Sequence, residues 1–364
     1  MKKVIISGGG TGGHIFPAIA IANGLKAQFP DIDILFIGAE GKMEMEKVPA
    51  AGYKIIGLPV VGLQRKLSVR NFSVPFKLMR SLSRAKEIIK EFNPEVVIGV
   101  GGYASAPTLR SAAKLGIPTL IQEQNSYPGM TNKLLSRRAS KICVAYDGLE
   151  AFFSKEKIVM TGNPVRKDLI HIATTREEAC RELGLDPAKK IVLSVGGSLG
   201  ARTINESIFE RIDFFKENDI QVIWQTGKWF NERALDGVRE KGCENVKVFE
   251  FISRMDLAYA AADIIVSRAG AIAISELCLV AKPTILVPSP NVSEDHQTKN
   301  AMALANKGAA LMVSDMEAQS KLFVEIYKLL NDNEKQLSLS EGCKKMGIPD
   351  ATERIVSEII DLVK

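Results

Sequence analysis

Short apolar runs alternate with longer amphipathic stretches through most of the chain. In its first half the apolar runs predict strands at 3–6, 34–37, 54–58, 96–100, 118–121, 141–144 and 158–160. The stretches between them have helical composition, near 17–28, 42–51, 74–91, 105–115, 129–138 and 148–153. Strands that alternate with helices predict a parallel sheet covered on both faces, the doubly wound α/β class.

The alternation stops at residues 161–166 and then restarts. Asn163-Pro164 resists helix, and after a helical piece near 175–184 further strands are predicted at 191–195, 221–225, 246–249, 264–267, 284–287 and 310–313. We therefore predict two domains, residues 1–162 and 163–347. The amphipathic segment at about 348–364 has a helix start at Asp350 and no strand after it. It either caps the second domain or returns to the first.

A glycine run follows the first strand, Gly8-Gly9-Gly10-Thr11-Gly12-Gly13-His14. A strand, a glycine turn and a helix together direct backbone N–H groups at an anion, aided by the helix dipole. The same dipole disfavours imidazolium near the helix start, so a neutral His14 that accepts a proton is expected there. The alternative is a histidine that only caps or packs.

A second glycine turn follows the first strand of the second domain. The two turns can be aligned, with Gly9-Gly10-Thr11-Gly12-Gly13-His14 matched to Gly196-Gly197-Ser198-Leu199-Gly200-Ala201. In this alignment the first copy has histidine at the helix start and the second has alanine. This difference between the copies favours a catalytic role for His14 over a purely structural role at the helix start. Two such turns indicate phosphate binding by both domains, although any two doubly wound domains share glycine turns.

Composition describes an ordinary globular protein of 364 residues, with 25% charged and 46% hydrophobic residues. The five scattered cysteines are expected to be small buried hydrophobes rather than disulfides or zinc ligands. Met1-Lys2-Lys3 leads directly into the first strand, and no apolar run approaches the ~20 residues that span a bilayer. We therefore expect a chain that is neither secreted nor membrane-spanning.

The basic excess lies in one segment. Residues 65–90 carry eight basic side chains and one acid, a net +7 against +6 for the whole chain. Basic and apolar side chains interleave there, which suits an anionic bilayer surface; the patch comprises Phe72, Phe76, Lys77, Met79, Arg80 and Arg84. The alternative is a sheet-covering helix with a solvated basic face. No nucleic-acid-binding signature accompanies the patch.

Polar candidates also follow strands of the second domain. Glu276 falls in the second turn of a helix, where its carboxylate can accept from the two hydroxyls of a ribose, although a solvated helix glutamate is the ordinary case. In the loop at 287–301, Gln297 and Asn300 could read sugar hydroxyls. The alternative is a plain helix cap at Asp295. The only D-x-D, at Asp31 and Asp33, precedes a strand and is interpreted as a turn, so no metal is predicted.

Seven motifs in series resemble the MurG family of undecaprenyl-diphospho-muramoylpentapeptide N-acetylglucosaminyltransferases. They lie at 9–14, 101–105, 122–125, 162–166, 196–198, 268–276 and 297–301, with a further likeness at 348–354. The resemblance covers nearly the whole chain. It implies a GT-B fold, two Rossmann-like domains facing across a cleft, with an N-terminal acceptor domain and a C-terminal donor domain.

The resemblance also implies the reaction, which is inverting transfer of GlcNAc from UDP-GlcNAc to the C4 hydroxyl of MurNAc on lipid I, yielding lipid II and UDP. It requires no cofactor, and the enzyme would work as a peripheral protein on the anionic cytoplasmic face of the membrane, where proteins of cell-wall synthesis are possible partners. The implied donor-site residues are Thr11, Gly12, Gly13, Asn125, Arg166, Ser198, Ile252, Ala271, Glu276 and Gln297. The implied acceptor-diphosphate residues are Gly10, Thr11, Gly12, Gly13, Gly102 and Tyr103. His296 stands where some relatives have a second glutamine.

The chemistry of the residues agrees with this assignment. His14 is the leading candidate for the general base, with a second carboxylate left open, while glycine-turn amides and Arg166 can stabilise a departing diphosphate without a metal. Three alternatives remain: another GT-B transferase with a lipid acceptor such as diacylglycerol, a nicotinamide-dependent oxidoreductase, and a non-catalytic peripheral membrane protein. The second glycine turn and the missing ribose carboxylate argue against the oxidoreductase.

Overall fold

The computed structural model describes residues 1–60, 74–166, 169–170 and 172–364. The chain divides into two compact units. Unit 1 comprises Met1–Val165 and Asp350–Lys364, and unit 2 comprises Arg166–Pro349.

Unit 1 is built on a parallel sheet of seven strands. Its strands are β1 (Lys3–Ser7), β2 (Asp33–Ala39), β3 (Lys54–Leu58), β4 (Val96–Gly99), β5 (Thr119–Glu123), β6 (Lys141–Val144) and β7 (Ile158–Met160). They lie in the order β3-β2-β1-β4-β5-β6-β7. The order reverses between β1 and β4, which is the switch point at which open α/β sheets bind ligands.

Helices cover both faces of this sheet. They are α1 (Gly12–Gln28), α2 (Glu44–Ala50), α3 (Val74–Phe92), α4 (Ser105–Lys114) and α5 (Met130–Ser136), with a 3-10 turn at Leu149–Ala151. One core cluster joins α1 and α2 to the sheet, and another joins α3, α4 and α5 to its opposite face. The β-branched strands are buried on both sides, as parallel sheets require.

The helix α15 (Ala351–Asp361) belongs to unit 1 and packs on α1. Ile355, Val356 and Ile359 are buried in the same cluster as α1. The two helices approach closely because Gly24 has no side chain, and a Cβ there would lie 2.7 Å from Thr352. The segment at 350–364 thus supplies part of the unit 1 core.

Unit 2 repeats the architecture with six parallel strands. They are β8 (Lys190–Val195), β9 (Ile220–Gln225), β10 (Val246–Phe249), β11 (Ile264–Ser267), β12 (Thr284–Leu286) and β13 (Leu311–Met312). Their order is β10-β9-β8-β11-β12-β13, so the switch point lies between β8 and β11. The helices are α6 (Arg176–Leu183), α7 (Arg202–Phe209), α8 (Ile212–Glu217), α9 (Lys228–Glu240), α10 (Met255–Ala261), α11 (Ala271–Val280), α12 (His296–Ala305), α13 (Ala318–Leu330) and α14 (Asn333–Met346).

The doubly wound class and every predicted strand are confirmed, with shifts of one or two residues at the ends. The prediction was wrong about the start of α1, which begins at Gly12 and contains Pro17. The stretch near 17–28 was too short at its start, because the turn before Pro17 is already closed by the N–H groups of His14 and Ile15 donating to Thr11 O. All five cysteines are free and buried, as expected.

Candidate active site

Three loops meet at the switch point of unit 1, those that follow β1, β4 and β5. A Cβ on Gly102 would lie 2.3 Å from Gly9 O, so the first two loops touch through backbone alone. The third joins them because Gln124 Nε2 donates to Val100 O at 2.9 Å. The sheet therefore brings Gly9, Gly102 and the residues after Gln124 to one place.

His14 is held in this place through its Nδ1 atom. It is the third residue of α1, and its Nδ1 lies 3.0 Å from Gly9 O and 3.3 Å from Thr11 Oγ1. A carbonyl oxygen can only accept, so the contact with Gly9 assigns the proton to Nδ1. Nε2 then carries the lone pair. On this side the ring lies against Gly101, where a Cβ would be 2.9 Å from Nε2.

Glu44 is a carboxylate that sequence reasoning missed. Its side chain is buried, with Oε2 accepting from Gly10 N at 2.8 Å and Oε1 from Ala39 N at 3.0 Å. The anion-binding amide of Gly10 is therefore already paired with the protein's own carboxylate. The only sequence signal was an acidic residue shortly after β2, the region in which a dinucleotide fold has its ribose ligand. In this protein the Glu44 carboxylate instead accepts from the Gly10 amide of the glycine loop. It is therefore not available to a ribose, which argues against dinucleotide binding in unit 1.

Glu123 lies in the motif at 122–125, but sequence reasoning assigned it no role; in the structure it organises the loop after β5. Its Oε1 accepts from the backbone and side-chain N–H groups of Asn125, at 3.0 and 3.1 Å, and its Oε2 accepts from Gly129 N and Asn132 Nδ2, at 3.1 and 2.8 Å. With four donors this buried carboxylate is fully satisfied. It fixes the position of Asn125, a predicted donor-site residue.

The other predicted residues of unit 1 lie on the same rim. Thr11 is the exposed residue before α1, and the N–H groups of Gly12 and Gly13 belong to its first turn, which has no intrahelical acceptor. Tyr103 is 53% exposed beside Gly102. The rim thus offers amides, a hydroxyl and a phenol to a ligand.

The two glycine turns are not superimposable copies, which corrects the alignment made from sequence. Strand β1 ends at Ser7 and α1 begins at Gly12, whereas β8 ends at Val195 and α7 begins only at Arg202. The second loop is longer, so Ala201 is the residue before its helix and corresponds to Thr11 rather than to His14. The comparison of histidine with alanine therefore carries no weight, and the case for His14 depends on its own contacts.

In unit 2, Gln225 connects the second glycine turn to the loop after β10. Its Nε2 donates to Gly197 O at 3.0 Å, and its Oε1 accepts from Ile252 N at 2.8 Å. The N–H of Ile252 is thus paired inside the protein, so a backbone contact from this predicted donor-site residue to a ligand would use its carbonyl oxygen. Ser198 is exposed in the glycine turn.

Gln297 ties together two loops of the rim of unit 2. Its Oε1 accepts from Ala269 N at 3.2 Å and from Ser289 N at 2.9 Å. Ala271 begins α11 two residues after Ala269. Asn300 is fully buried and donates to Ala269 O, which contradicts the expectation that it reads sugar hydroxyls.

Arg166 and Glu276 lie within electrostatic reach of one buried phenol. Burial raises the pKa of Tyr259 well above its usual range, the negative charge of Glu276 adds to the rise, and the positive charge of Arg166 opposes it. Both predicted donor-site residues therefore lie in the neighbourhood of Tyr259 in unit 2. A guanidinium suits a phosphate, and a carboxylate suits the hydroxyls of a ribose.

Four of the six residues of the basic patch have described side chains, those of Lys77, Met79, Arg80 and Arg84. Phe72 lies outside the described residues, and Phe76 is described only as helix backbone. Lys77, Leu78, Met79 and Arg80 form one wholly exposed turn of α3, with Met79 69% exposed. Arg84, one turn later, pairs with Glu87 on the surface. The patch thus presents apolar and basic side chains side by side.

Neither a metal cluster nor a membrane span is found in the described ranges. No group of three or more His, Cys, Asp or Glu side chains there could hold a metal ion. No helix among those residues has the length and apolarity to cross a bilayer. Asp31 precedes β2 and Asp33 is its first residue, so both lie at the end of the strand opposite the candidate site.

Comparison with known proteins identifies both units. Residues 4–144 match the glycosyltransferase family 28 N-terminal domain, and residues 191–355 match the family's C-terminal domain. The chain is 55% identical over 361 residues to a UDP-N-acetylglucosamine–N-acetylmuramyl-(pentapeptide) pyrophosphoryl-undecaprenol N-acetylglucosamine transferase of Parabacteroides distasonis, covering 99% of this chain and 98% of that protein. A transferase of the same name from Phocaeicola vulgatus is 56% identical, with 99% and 96% covered. Acinetobacter baumannii MurG has a similar crystal structure, with a TM-score of 0.81, 28% identity, and 99% and 100% covered.

Proposed function

This chain belongs to the MurG family of N-acetylglucosaminyltransferases, and on that premise we propose how its residues carry out the transfer. The reaction moves GlcNAc from UDP-GlcNAc to the C4 hydroxyl of MurNAc in lipid I. The hydroxyl oxygen attacks C1 of GlcNAc, the bond from C1 to the UDP oxygen breaks, and the anomeric configuration inverts. The hydroxyl loses its proton, and UDP leaves as an anion.

His14 is the general base of this proposal. The observation that carries it is the contact of Nδ1 with Gly9 O, because it leaves the lone pair on Nε2, the nitrogen that can receive the hydroxyl proton. The position in the first turn of α1 also favours the neutral ring before the proton arrives.

The donor binds to unit 2 in this proposal. Ser198 and Arg166 contact the diphosphate, the Ile252 carbonyl contacts uracil, and Glu276 accepts from the ribose hydroxyls. Ala271 and Gln297 contact GlcNAc, as does Asn125 of unit 1. Arg166 and the amides of the second glycine turn offset the charge of departing UDP, so nucleotide binding is expected to persist in a metal chelator.

The acceptor diphosphate binds to the rim of unit 1. The N–H groups of Thr11, Gly12 and Gly13 at the start of α1 are its main ligands, with Gly102 and Tyr103 beside them. The Gly10 amide is not among them, since it donates to Glu44. This is a revision of the set expected from sequence.

The exposed turn of α3 brings unit 1 to the lipid surface. Lys77 and Arg80 contribute about 1 kcal/mol each near anionic headgroups, and Met79 and Leu78 enter the interface between them. A lipid-linked acceptor requires such contact. We propose a peripheral position on the cytoplasmic face of the membrane, where other proteins of cell-wall synthesis are candidate partners.

The test is transfer of labelled GlcNAc to a lipid I analogue by the wild type and by His14→Ala. We expect kcat to fall by about 10²–10⁴-fold, the usual contribution of a general base. UDP affinity, measured by calorimetry, stays within twofold because unit 2 is unchanged. Normal turnover of bound substrate by His14→Ala would refute the role of His14.

A further inference from the structure

Glu44 and His14 contact opposite sides of one peptide group. Glu44 Oε2 accepts from the N–H of Gly10, and His14 Nδ1 lies 3.0 Å from the carbonyl oxygen of Gly9. That N–H and that carbonyl belong to the same Gly9–Gly10 peptide unit. A trans peptide is planar, and its N–H and C=O point in opposite directions. Glu44 and His14 are therefore connected through one rigid, planar peptide unit.

The carboxylate has little freedom to leave this position. Glu44 is 1% exposed, and a Cβ on Gly9 would lie 2.2 Å from its carboxyl group. A Cβ on Gly38 would lie 2.6 Å from its Cγ. The absence of side chains at Gly9 and Gly38 therefore leaves the space that the Glu44 side chain fills. The Ala39 amide donates to the second carboxylate oxygen of Glu44 at 3.0 Å.

The arrangement has a chemical consequence for the histidine. A carboxylate that accepts from an amide N–H polarises the peptide and makes its carbonyl oxygen a stronger acceptor. The carbonyl in turn fixes the proton on Nδ1 and the orientation of the ring.

We propose that Glu44 is a positioning residue for the transfer reaction, acting on His14 through the Gly9–Gly10 peptide. It does not touch substrate. Its role is to hold the loop so that His14 keeps the tautomer with the proton on Nδ1. The inference depends on the proposed role of His14 as base, but the state of the ring can be measured separately from turnover.

The experiment uses nitrogen NMR of protein labelled at histidine, together with kinetics. The chain has three histidines, so the His14 signal is the one that His14→Ala removes. In the wild type we expect His14 as the Nδ1–H tautomer near neutral pH. Glu44→Gln presents an NH₂ group to one of the two amides, and we expect a mixture of tautomers and a kcat lower by about 10–10²-fold. The KM for UDP-GlcNAc should remain within twofold.

Glu46→Gln is the matched control, because Glu46 is an exposed glutamate on the same helix, and it should behave as wild type in both assays. An Nε2–H tautomer in the wild type would overturn the proposal even if Glu44→Gln did not fold. A folded Glu44→Gln protein with the wild-type tautomer and kcat would overturn it as well. If instead His14→Ala kept full turnover, the base assignment would fail while the tautomer result stood.

Discussion

The contact between Gly102 and Gly9 makes Gly102→Ala a sharp test of the candidate active site. Gly102 has φ +83°, and a Cβ there would lie 2.3 Å from Gly9 O and 3.1 Å from Gly9 N. Real Cβ contacts essentially never fall below 3.0 Å, so one of the loops must move by at least about 0.7 Å. The atom that is pushed is the acceptor of His14 Nδ1.

Two effects of this substitution have to be separated. The left-handed conformation costs an alanine about 1–2 kcal/mol, which lowers the melting temperature of a unit of this size by about 2–8 °C. Displacement of the loop adds a loss of activity, since a misplacement of about 1 Å at a reacting group can cost ~10²-fold in rate. We therefore expect a kcat lower by about 10–10²-fold in Gly102→Ala.

Gly116→Ala is the control for backbone strain. Gly116 lies in the same unit with φ +77°, and no atom lies within 4 Å of its ideal Cβ. It should lose similar stability and keep its kcat. The assays are transfer of labelled GlcNAc at saturating donor and thermal unfolding. Equal kcat values for the two variants would show that the contact between the loops does not position the base.

Three further substitutions test other parts of the structure. Gln297→Ala leaves two backbone amides of the unit 2 rim without their acceptor. The KM for UDP-GlcNAc should therefore rise by about 10-fold in steady-state assays. An unchanged KM would count against a donor site at this rim. Arg176 makes a bidentate pair with Asp263, so Arg176→Lys should destabilise unit 2 by about 1–3 kcal/mol in urea unfolding, whereas Arg239→Lys, in an exposed pair, should have little effect. Glu95 accepts from the N–H groups of Lys2 and Lys3, which lowers its pKa. Its stabilisation is therefore present above the ordinary pKa of glutamate and is lost as pH falls through the lowered one, so Glu95→Gln should cost less than ~1 kcal/mol at neutral pH and nothing in strong acid.

Local pattern was sufficient to predict the sheets. Most strands centre on a short apolar run, and even β13, with two residues, lies inside the run predicted at 310–313. The glycine turns were identified for the same reason, since a positive φ such as that of Gly102 restricts the residue type. These features depend on neighbours in sequence.

The features that sequence did not predict depend on distant residues. Glu44 reaches back 34 positions to Gly10, from a short helix with no clear apolar period. Glu123 collects donors from a loop whose path only the folded chain defines. The mismatch between the glycine turns had a different cause, because glycine content does not reveal where a helix begins.

The packing of α15 on α1 affects the order in which the chain can fold. Unit 2 is one continuous stretch and can assemble as soon as residues 166–349 have been synthesised. Unit 1 must wait, because Ile355 and Ile359 emerge from the ribosome only after all of unit 2. Until then α1 lacks its cover from α15, and apolar surface exposed in this way makes a nascent chain prone to aggregation.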